Sequence, residues 1–302
     1  MATATKLILS LKVKNILFAT DFSPCSEAAV PYLRALAGIF GATVHVAHVI
    51  SPETTGGVSL EKFPELDQSR KTAEERMAKF LVKNPLHGVT HHVVVERGPL
   101  WHVLTDMIAE HEIDLIILGT HGRRGLKKLL LGSVAEEVFR RAKCPVITVG
   151  PATPHDGAGE CKLERILYAT DFSTGSLQAL PFALTLAKEC GKKLILLHVL
   201  PQMTEIPGTE LDAIAEATRQ RLQQLLSPGV SLWCQADARV MFGSPAEAIL
   251  QVAQEDKADL IVMGARHARM NLVGATVSAH LPWATAHRVV CEAHCPVLTV
   301  RS

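Results

Sequence analysis

Ile16-Leu17-Phe18-Ala19-Thr20-Asp21-Phe22-Ser23 returns as Ile166-Leu167-Tyr168-Ala169-Thr170-Asp171-Phe172-Ser173, shifted by 150. Each copy is a short apolar run closing on Thr-Asp, with a serine placed to cap a following helix. The same shift carries Pro31 onto Pro181, Gly41 onto Gly191 and His48-Val49 onto His198-Val199. Further along it becomes 145: Gly98 falls on Gly243, Asp114-Leu115-Ile116 on Asp259-Leu260-Ile261, and Gly119 on Gly264. The halves close alike, on Cys144-Pro145-Val146 and Cys295-Pro296-Val297. Such self-similarity marks two copies of one unit, and 302 residues fit two domains of roughly 150. The Pro- and Gly-containing stretch 150–157 reads as a linker. The expected domains are 1–150 and 160–302.

Outward from Ile16, the first half alternates strand and helix. Residues 14–20 read as a strand, 24–38 as a helix, Val44–Val49 as a strand and 67–83 as a charged helix. Val93–Val95 follows as a strand, 99–111 as a helix, Leu115–Leu118 as a strand, 133–142 as a helix and Val146–Val149 as the last strand. Strands apolar on both faces and separated by helices predict a parallel sheet covered on both sides. Right-handed crossovers then favour double winding. The expected fold class is α/β: two tandem doubly wound, Rossmann-like domains, each a five-stranded parallel sheet flanked by helices. Ligands bind such sheets at the carboxyl ends of the strands, here between the first and fourth.

Bulk composition excludes several function classes. Apolar residues make up 48%, charged residues 20%, and the net charge is +1 with no long basic run in either half. Nothing here favours nucleic acid or a membrane surface as partner. No apolar run approaches the ~18 residues of a membrane span. The opening stretch from Met1 to Ser10 runs directly into a strand and does not read as a signal peptide. The seven cysteines form no C-x-x-C pair and read as reduced thiols, so a cytoplasmic location is expected.

Two strand exits carry the candidate chemistry. Thr20-Asp21 leaves the first strand, and Leu118-Gly119 ends the fourth. Gly119-Thr120-His121-Gly122, nine residues and Gly132-Ser133 then spell G-x-x-G-x9-G-S. Glycines permit positive φ and close approach to a ligand. Free N–H groups at a helix N-terminus attract phosphate. Ser133 can cap its helix or donate its hydroxyl to a phosphate oxygen, and Asp21 suits a ribose hydroxyl. Taken singly, these glycines and this serine also fit ordinary turns and a cap. Their place after the fourth strand, beside Asp21, favours the phosphate site. Arg123, Arg124, Lys127 and Lys128 lie between the glycines, where they either neutralise phosphate charge or form a solvated basic loop. Neither G-x-x-x-x-G-K-[ST] nor G-x-G-x-x-G is present.

These residues give the chain its resemblance to the universal stress proteins, over essentially its whole length and in two copies. The resemblance rests on Ala19-Thr20-Asp21-Phe22-Ser23, His48-Val49, the glycine pattern of 119–133 and Cys144-Pro145-Val146. Within that family the G-x-x-G-x9-G-[ST] spacing marks members that bind ATP. The resemblance implies that Asp21 holds the ribose and that Ala19 and Val49 flank adenine. It further implies that Gly119, His121, Gly122, Gly132, Ser133 and Val134 line the phosphates, with Mg²⁺ accompanying ATP. It also implies that the short terminal strands Val146–Val149 and Val297–Val300 pair the two halves as an intramolecular pseudo-dimer, with a homodimer as a further possibility.

The second half departs from the pattern. Gly264 matches Gly119 and Asp171 matches Asp21, but His267 stands at the second glycine, and Val277-Ser278 at the expected Gly-Ser. Counting back from Cys295 puts Trp283-Ala284 there instead. A non-glycine residue at positive φ costs on the order of 1–2 kcal/mol, so this loop reads as degenerate for ATP. His267, His280, His287, Cys291, His294 and Cys295 suggest zinc. Cys295, however, aligns with Cys144, where no histidines cluster, and packing accounts for it; no metal site is expected.

The expected function is therefore a nucleotide-binding regulatory module with ATP in the first domain. Occupancy would be read out as a change of conformation or partner, with Leu126, Leu129, Leu130 and Leu131 as the segment set in place. Slow ATP hydrolysis and a scaffold that binds no ligand are the alternatives. The lack of a recognisable base, Walker lysine or carboxylate pair argues against a fast enzyme.

Overall fold

The structure is a computed structural model that describes residues 11–51, 63–120, 131–153, 161, 163–203, 206–265 and 282–301. The remaining residues, including 121–130 and 266–281, are not described. The chain divides into two compact units, Lys12–Cys161 and Lys162–Ser302.

In the first unit the elements run β1 (Asn15–Ala19), α1 (Pro24–Phe40), β2 (Thr43–Ile50), α2 (Phe63–Lys83), β3 (His91–Arg97), α3 (Leu100–Glu110), β4 (Leu115–Gly119), α4 (Ser133–Arg141) and β5 (Val146–Val149). The strands are ordered β3-β2-β1-β4-β5. The pairs β1–β2, β1–β4, β2–β3 and β4–β5 are all parallel. The chain thus turns outward from β1 in both directions, so the exits of β1 and β4 lie side by side at the switch point.

The second unit repeats this with β6 (Arg165–Ala169), α5 (Thr174–Glu189), β7 (Lys193–Leu200), α6 (Gly208–Gln224), β8 (Gln235–Phe242), α7 (Pro245–Glu255), β9 (Leu260–Ala265), α8 (Pro282–Glu292) and β10 (Val297–Arg301). A short 3₁₀ turn, Val230–Leu232, precedes β8. The order is β8-β7-β6-β9-β10, again parallel.

Helices cover both faces of each sheet because the strands are apolar on both. Ile16, Leu17, Ile116 and Ile117 are fully buried, so neighbouring side chains that point to opposite faces each find a helix. On one face Phe18 stacks on Phe80 of α2, with ring centroids 6.2 Å apart. On the other, His45 stacks on His111 just past α3. Full burial of such side chains stabilises by roughly 1.5–3 kcal/mol each.

The repeated Asp114 and Asp259 serve the opposite end of the sheets from the strand exits. Asp114 Oδ2 accepts hydrogen bonds from the backbone N–H of Lys14 (2.7 Å) and Asn15 (3.1 Å). Asp259 Oδ2 does the same for Glu164 (3.0 Å) and Arg165 (2.8 Å). Each ties the start of the first strand of its unit to the start of the fourth.

Candidate functional site

The turn out of β1 is built from its own side chains. The buried Thr20 donates its N–H to Ala47 O at 2.9 Å, and its hydroxyl accepts from Phe22 N at 3.0 Å. His48 Nδ1 donates to Thr20 O at 2.8 Å, which fixes the proton on that nitrogen. Asp21 Oδ1 accepts from Ser23 N (3.0 Å) and Ser26 Oγ (2.8 Å), so the carboxylate is oriented over the first turn of α1. Ser23 caps that helix, its side chain accepting from Ser26 N at 3.3 Å. Ser23→Ala is expected to lower stability by about 1 kcal/mol, read as a shift of the urea midpoint at unchanged slope.

Phe22 takes φ +63°, unusual for an aromatic residue. Its ring lies 4.4 Å from the His48 ring and 5.7 Å from Phe80, with the Arg76 guanidinium 4.6 Å from its centroid. Such a backbone costs on the order of 1–2 kcal/mol, offset by these contacts. The second unit has the same device. Phe172 sits at φ +58°, 4.7 Å from His198 and 3.9 Å from the Arg221 guanidinium, while His198 Nδ1 donates to Thr170 O at 2.7 Å. Burial lowers the His198 pKa, against the raising effect of that hydrogen bond. The arginine and the strained phenylalanine are missed in the sequence reading. The signal was Arg76 and Arg221 falling into register at the 145 shift.

The second exit lies against the first. Thr120 N donates to Val149 O at 2.9 Å, and Gly132 N to Thr120 O at 2.7 Å. That last bond brings Gly132-Ser133-Val134 back to the end of β4, thirteen positions on from Gly119. Ala19 pairs with Leu118 and also with Ala47, two residues before Val49. Among the expected site residues, Ala19, Thr20, Asp21, Leu118, Gly119, Gly132, Ser133 and Val134 are thus gathered at the switch point. Val49 continues β2 beside them, paired with Glu96. Leu118 is fully buried in the sheet, so only its backbone is available. His121, Gly122 and Arg123 lie outside the described residues, as do Arg124, Lys127, Lys128, Leu126, Leu129 and Leu130; Leu131 is buried.

Packing and capping account for glycine at two of these positions. Gly119 does not have a left-handed backbone. A Cβ there would lie 2.8 Å from the Cys25 carbonyl carbon and Cβ and from Ser26 N. Gly264 is tighter, with Ser176 N at 2.5 Å. Both glycines let the fourth strand of their unit touch the first turn of the helix after its first strand. Gly132 is extended (φ −62°, ψ 150°) and is itself the N-cap of α4, with no side-chain cap bond. Ser133 is the first helical residue and exposed, so its hydroxyl does not cap α4. By helix geometry the N–H groups of 133–135 have no partner within the helix. Glu136 in the first turn and Glu137 just after it are paired with Arg140 and Arg141 at 3.4 and 3.1 Å.

In the second unit, Asp171 Oδ1 accepts from Ser173 N at 3.0 Å, but Ser176 Oγ turns to Ser173 O (3.0 Å) and Thr170 Oγ1 (2.9 Å). Asp171 is exposed where Asp21 is half-buried. His267, Gly274, Val277, Ser278 and His280 lie outside the described residues. Among the described residues no group of three or more His, Cys, Asp or Glu is placed to hold a metal. Burial pushes the Cys295 thiol up to about 12 and that of Cys144 to about 11, as for packed thiols. No helix among the described residues is long and apolar enough to cross a membrane.

Two doubly wound α/β domains with the same strand-exit turn define a tandem Rossmann-like protein. The sequence profile of the universal stress protein family matches residues 12–150 and again 162–301, so the chain belongs to that family, in two copies. A universal stress protein of Mycolicibacterium smegmatis is 26% identical over 305 residues, covering 98% of this chain and 99% of its own. Universal stress protein A homolog 1 of Coxiella burnetii is 36% identical over 149 residues, covering 45% of this chain and 95% of its own. The crystal structure of a universal stress protein from Archaeoglobus fulgidus aligns with TM-score 0.68 at 23% identity, over 96% of this chain and 99% of that one, a likeness of fold.

Proposed function

We propose that the first domain binds an adenine nucleotide, ATP with Mg²⁺, and that occupancy is this protein's regulatory signal. The observation that supports the reading is the Gly132 N to Thr120 O bond, which sets the N-terminus of α4 at the end of β4, the strand paired with β1. An anion there would meet the N–H groups of 133–135 and the positive end of the helix dipole. The exposed Ser133 hydroxyl supplies a further donor. Asp21, already oriented by Ser23 and Ser26, would accept from a ribose hydroxyl, and Ala19 and Val49 would flank the base. His121, Gly122 and Arg123 complete the phosphate-side set in this reading. Mg²⁺ would supply charge neutralisation at the phosphates. The second domain, with His267 and Val277 in the glycine positions, would not bind ATP.

Native mass spectrometry of the purified chain is expected to show one bound adenine nucleotide, released on denaturation. Incubation of that complex with Mg²⁺, followed by nucleotide analysis, separates holding from hydrolysis. Retention as the triphosphate over hours supports a regulatory binder, and conversion to the diphosphate supports the slow hydrolase. A chain that neither carries nor takes up nucleotide would leave the scaffold reading.

A further inference from the structure

Three histidines meet where β2, β3 and the end of α3 come together in the first domain. The ring of His45 stacks on His111 at 4.3 Å and 20°, and lies 5.4 Å from His92, its directly paired neighbour on β3. His45 is 6% exposed, and its Nδ1 is buried with no hydrogen-bond partner. A proton added there would meet no acceptor, which is costly in a buried site. β3 is the edge strand of this unit, held along one side only.

Among the described residues no carboxylate forms an ion pair with His45, His92 or His111. From β1 the residue opposite His45 is Leu17, and Lys14 stands before the strand. From β3 come His92 and, one residue earlier, His91. From the end of α3 come His111 and the exposed Glu110 and Glu112. From the start of β4 comes Asp114, whose Oδ2 is engaged by Lys14 N and Asn15 N. α2 covers the opposite face. The like charges of His111 and His92 add to burial in disfavouring a proton on His45.

The second domain builds the same corner from other chemistry. Ile195 takes the place of His45, paired with Leu167 and Asp237 as His45 is paired with Leu17 and His92. Asp256 caps α7 at its C-terminal end as His111 caps α3. Lys193 Nζ contacts Asp256 at 2.6 Å, and Arg239 binds both Asp237 (2.8 Å) and Asp256. Two cations there face two anions.

We infer that the histidine stack is an acid-operated latch: as protons load onto it, like charges held at ring-stacking distance release edge strand β3 and the end of α3 from β2, in the first domain only. The direction of titration agrees. Burial first, then His111 and His92, lower the His45 pKa from 6.5. The closed form therefore refuses protons that the open form accepts. Stability is complete above pH 6.5 and falls as pH drops below it. In the second domain burial alone would raise the Asp256 pKa, but hydrogen bonds from Lys193 and Arg239 outweigh it and the net shift is downward from 3.8. That corner holds until the carboxylate range.

The test is hydrogen exchange on the full chain at about pH 7.5 and about pH 5.5, on either side of the imidazole range, corrected for intrinsic exchange. Protection of 91–97 and 108–114 is expected to fall several-fold at the lower pH, with about tenfold the ceiling for one proton at one unit below 6.5. Protection of 235–242 and 253–259 should hold. His45→Ile, which copies the second domain, should abolish the response. His111→Asn should reduce it several-fold, and it decides the matter if His45→Ile does not fold. Equal protection of 91–97 at both pH values overturns the inference. So does a response that persists in the variants, or one equally large at 235–242.

Discussion

Gly119→Ala is expected to destabilise the first domain by on the order of 3 kcal/mol, and Gly264→Ala the second by at least as much. In each case the new methyl group meets backbone atoms at 2.5–2.8 Å, below any relaxed carbon contact. The atoms met belong to the first turns of α1 and α5, where backbone and caps are already tied by Ser23 and Ser173. Neither strand nor helix can shift without opening the sheet, so the strain falls at the high end of overpacking costs, about 1–3 kcal/mol and occasionally more. Against a domain stability of roughly 5–15 kcal/mol, this is a large fraction. Two domains permit two unfolding transitions. Urea unfolding should show each variant moving the transition of its own domain and leaving the other in place. If both variants unfold with the wild type, the close approach is not tight in solution.

Loss of nucleotide from Gly119→Ala would follow from damage to the β4–α1 contact and would not show that Gly119 touches phosphate. Gly264, in a repeat without the rest of the pattern, meets the same packing requirement.

The doubly wound fold was legible because β1, β4 and β5 are apolar on both faces, and because the repeat offers each element twice. β3 was legible only at Val93–Val95. As an edge strand it runs on through His91, His92, Glu96 and Arg97, polar residues that carry no strand signal. At the site, Asp21 and Ser23 could be read from their types and spacing. The Phe22 backbone could not, since no rule marks an aromatic residue for positive φ; it depends on His48 and Arg76, which are distant in sequence. Ser133 looked like a cap because serine favours that position, yet Gly132 occupies it and leaves the hydroxyl exposed.

Gly122→His should cost the first domain its nucleotide while leaving the fold intact. The substitution copies His267, the residue standing at the same place in the second repeat. In the proposed site the imidazole would take up space the phosphates require, and a loop that uses positive φ there would pay a further ~1–2 kcal/mol on losing glycine. Together these give an expected loss of about 3 kcal/mol or more in binding, roughly a hundredfold in Kd. Unlike Gly119→Ala, this change is expected to leave urea unfolding nearly unchanged.

Calorimetric titration of the full chain with ATP and Mg²⁺ reads the asymmetry between the repeats directly. The predicted result is one site per chain in the wild type and none in Gly122→His. Two equivalent sites per chain, or full binding by Gly122→His, would contradict it.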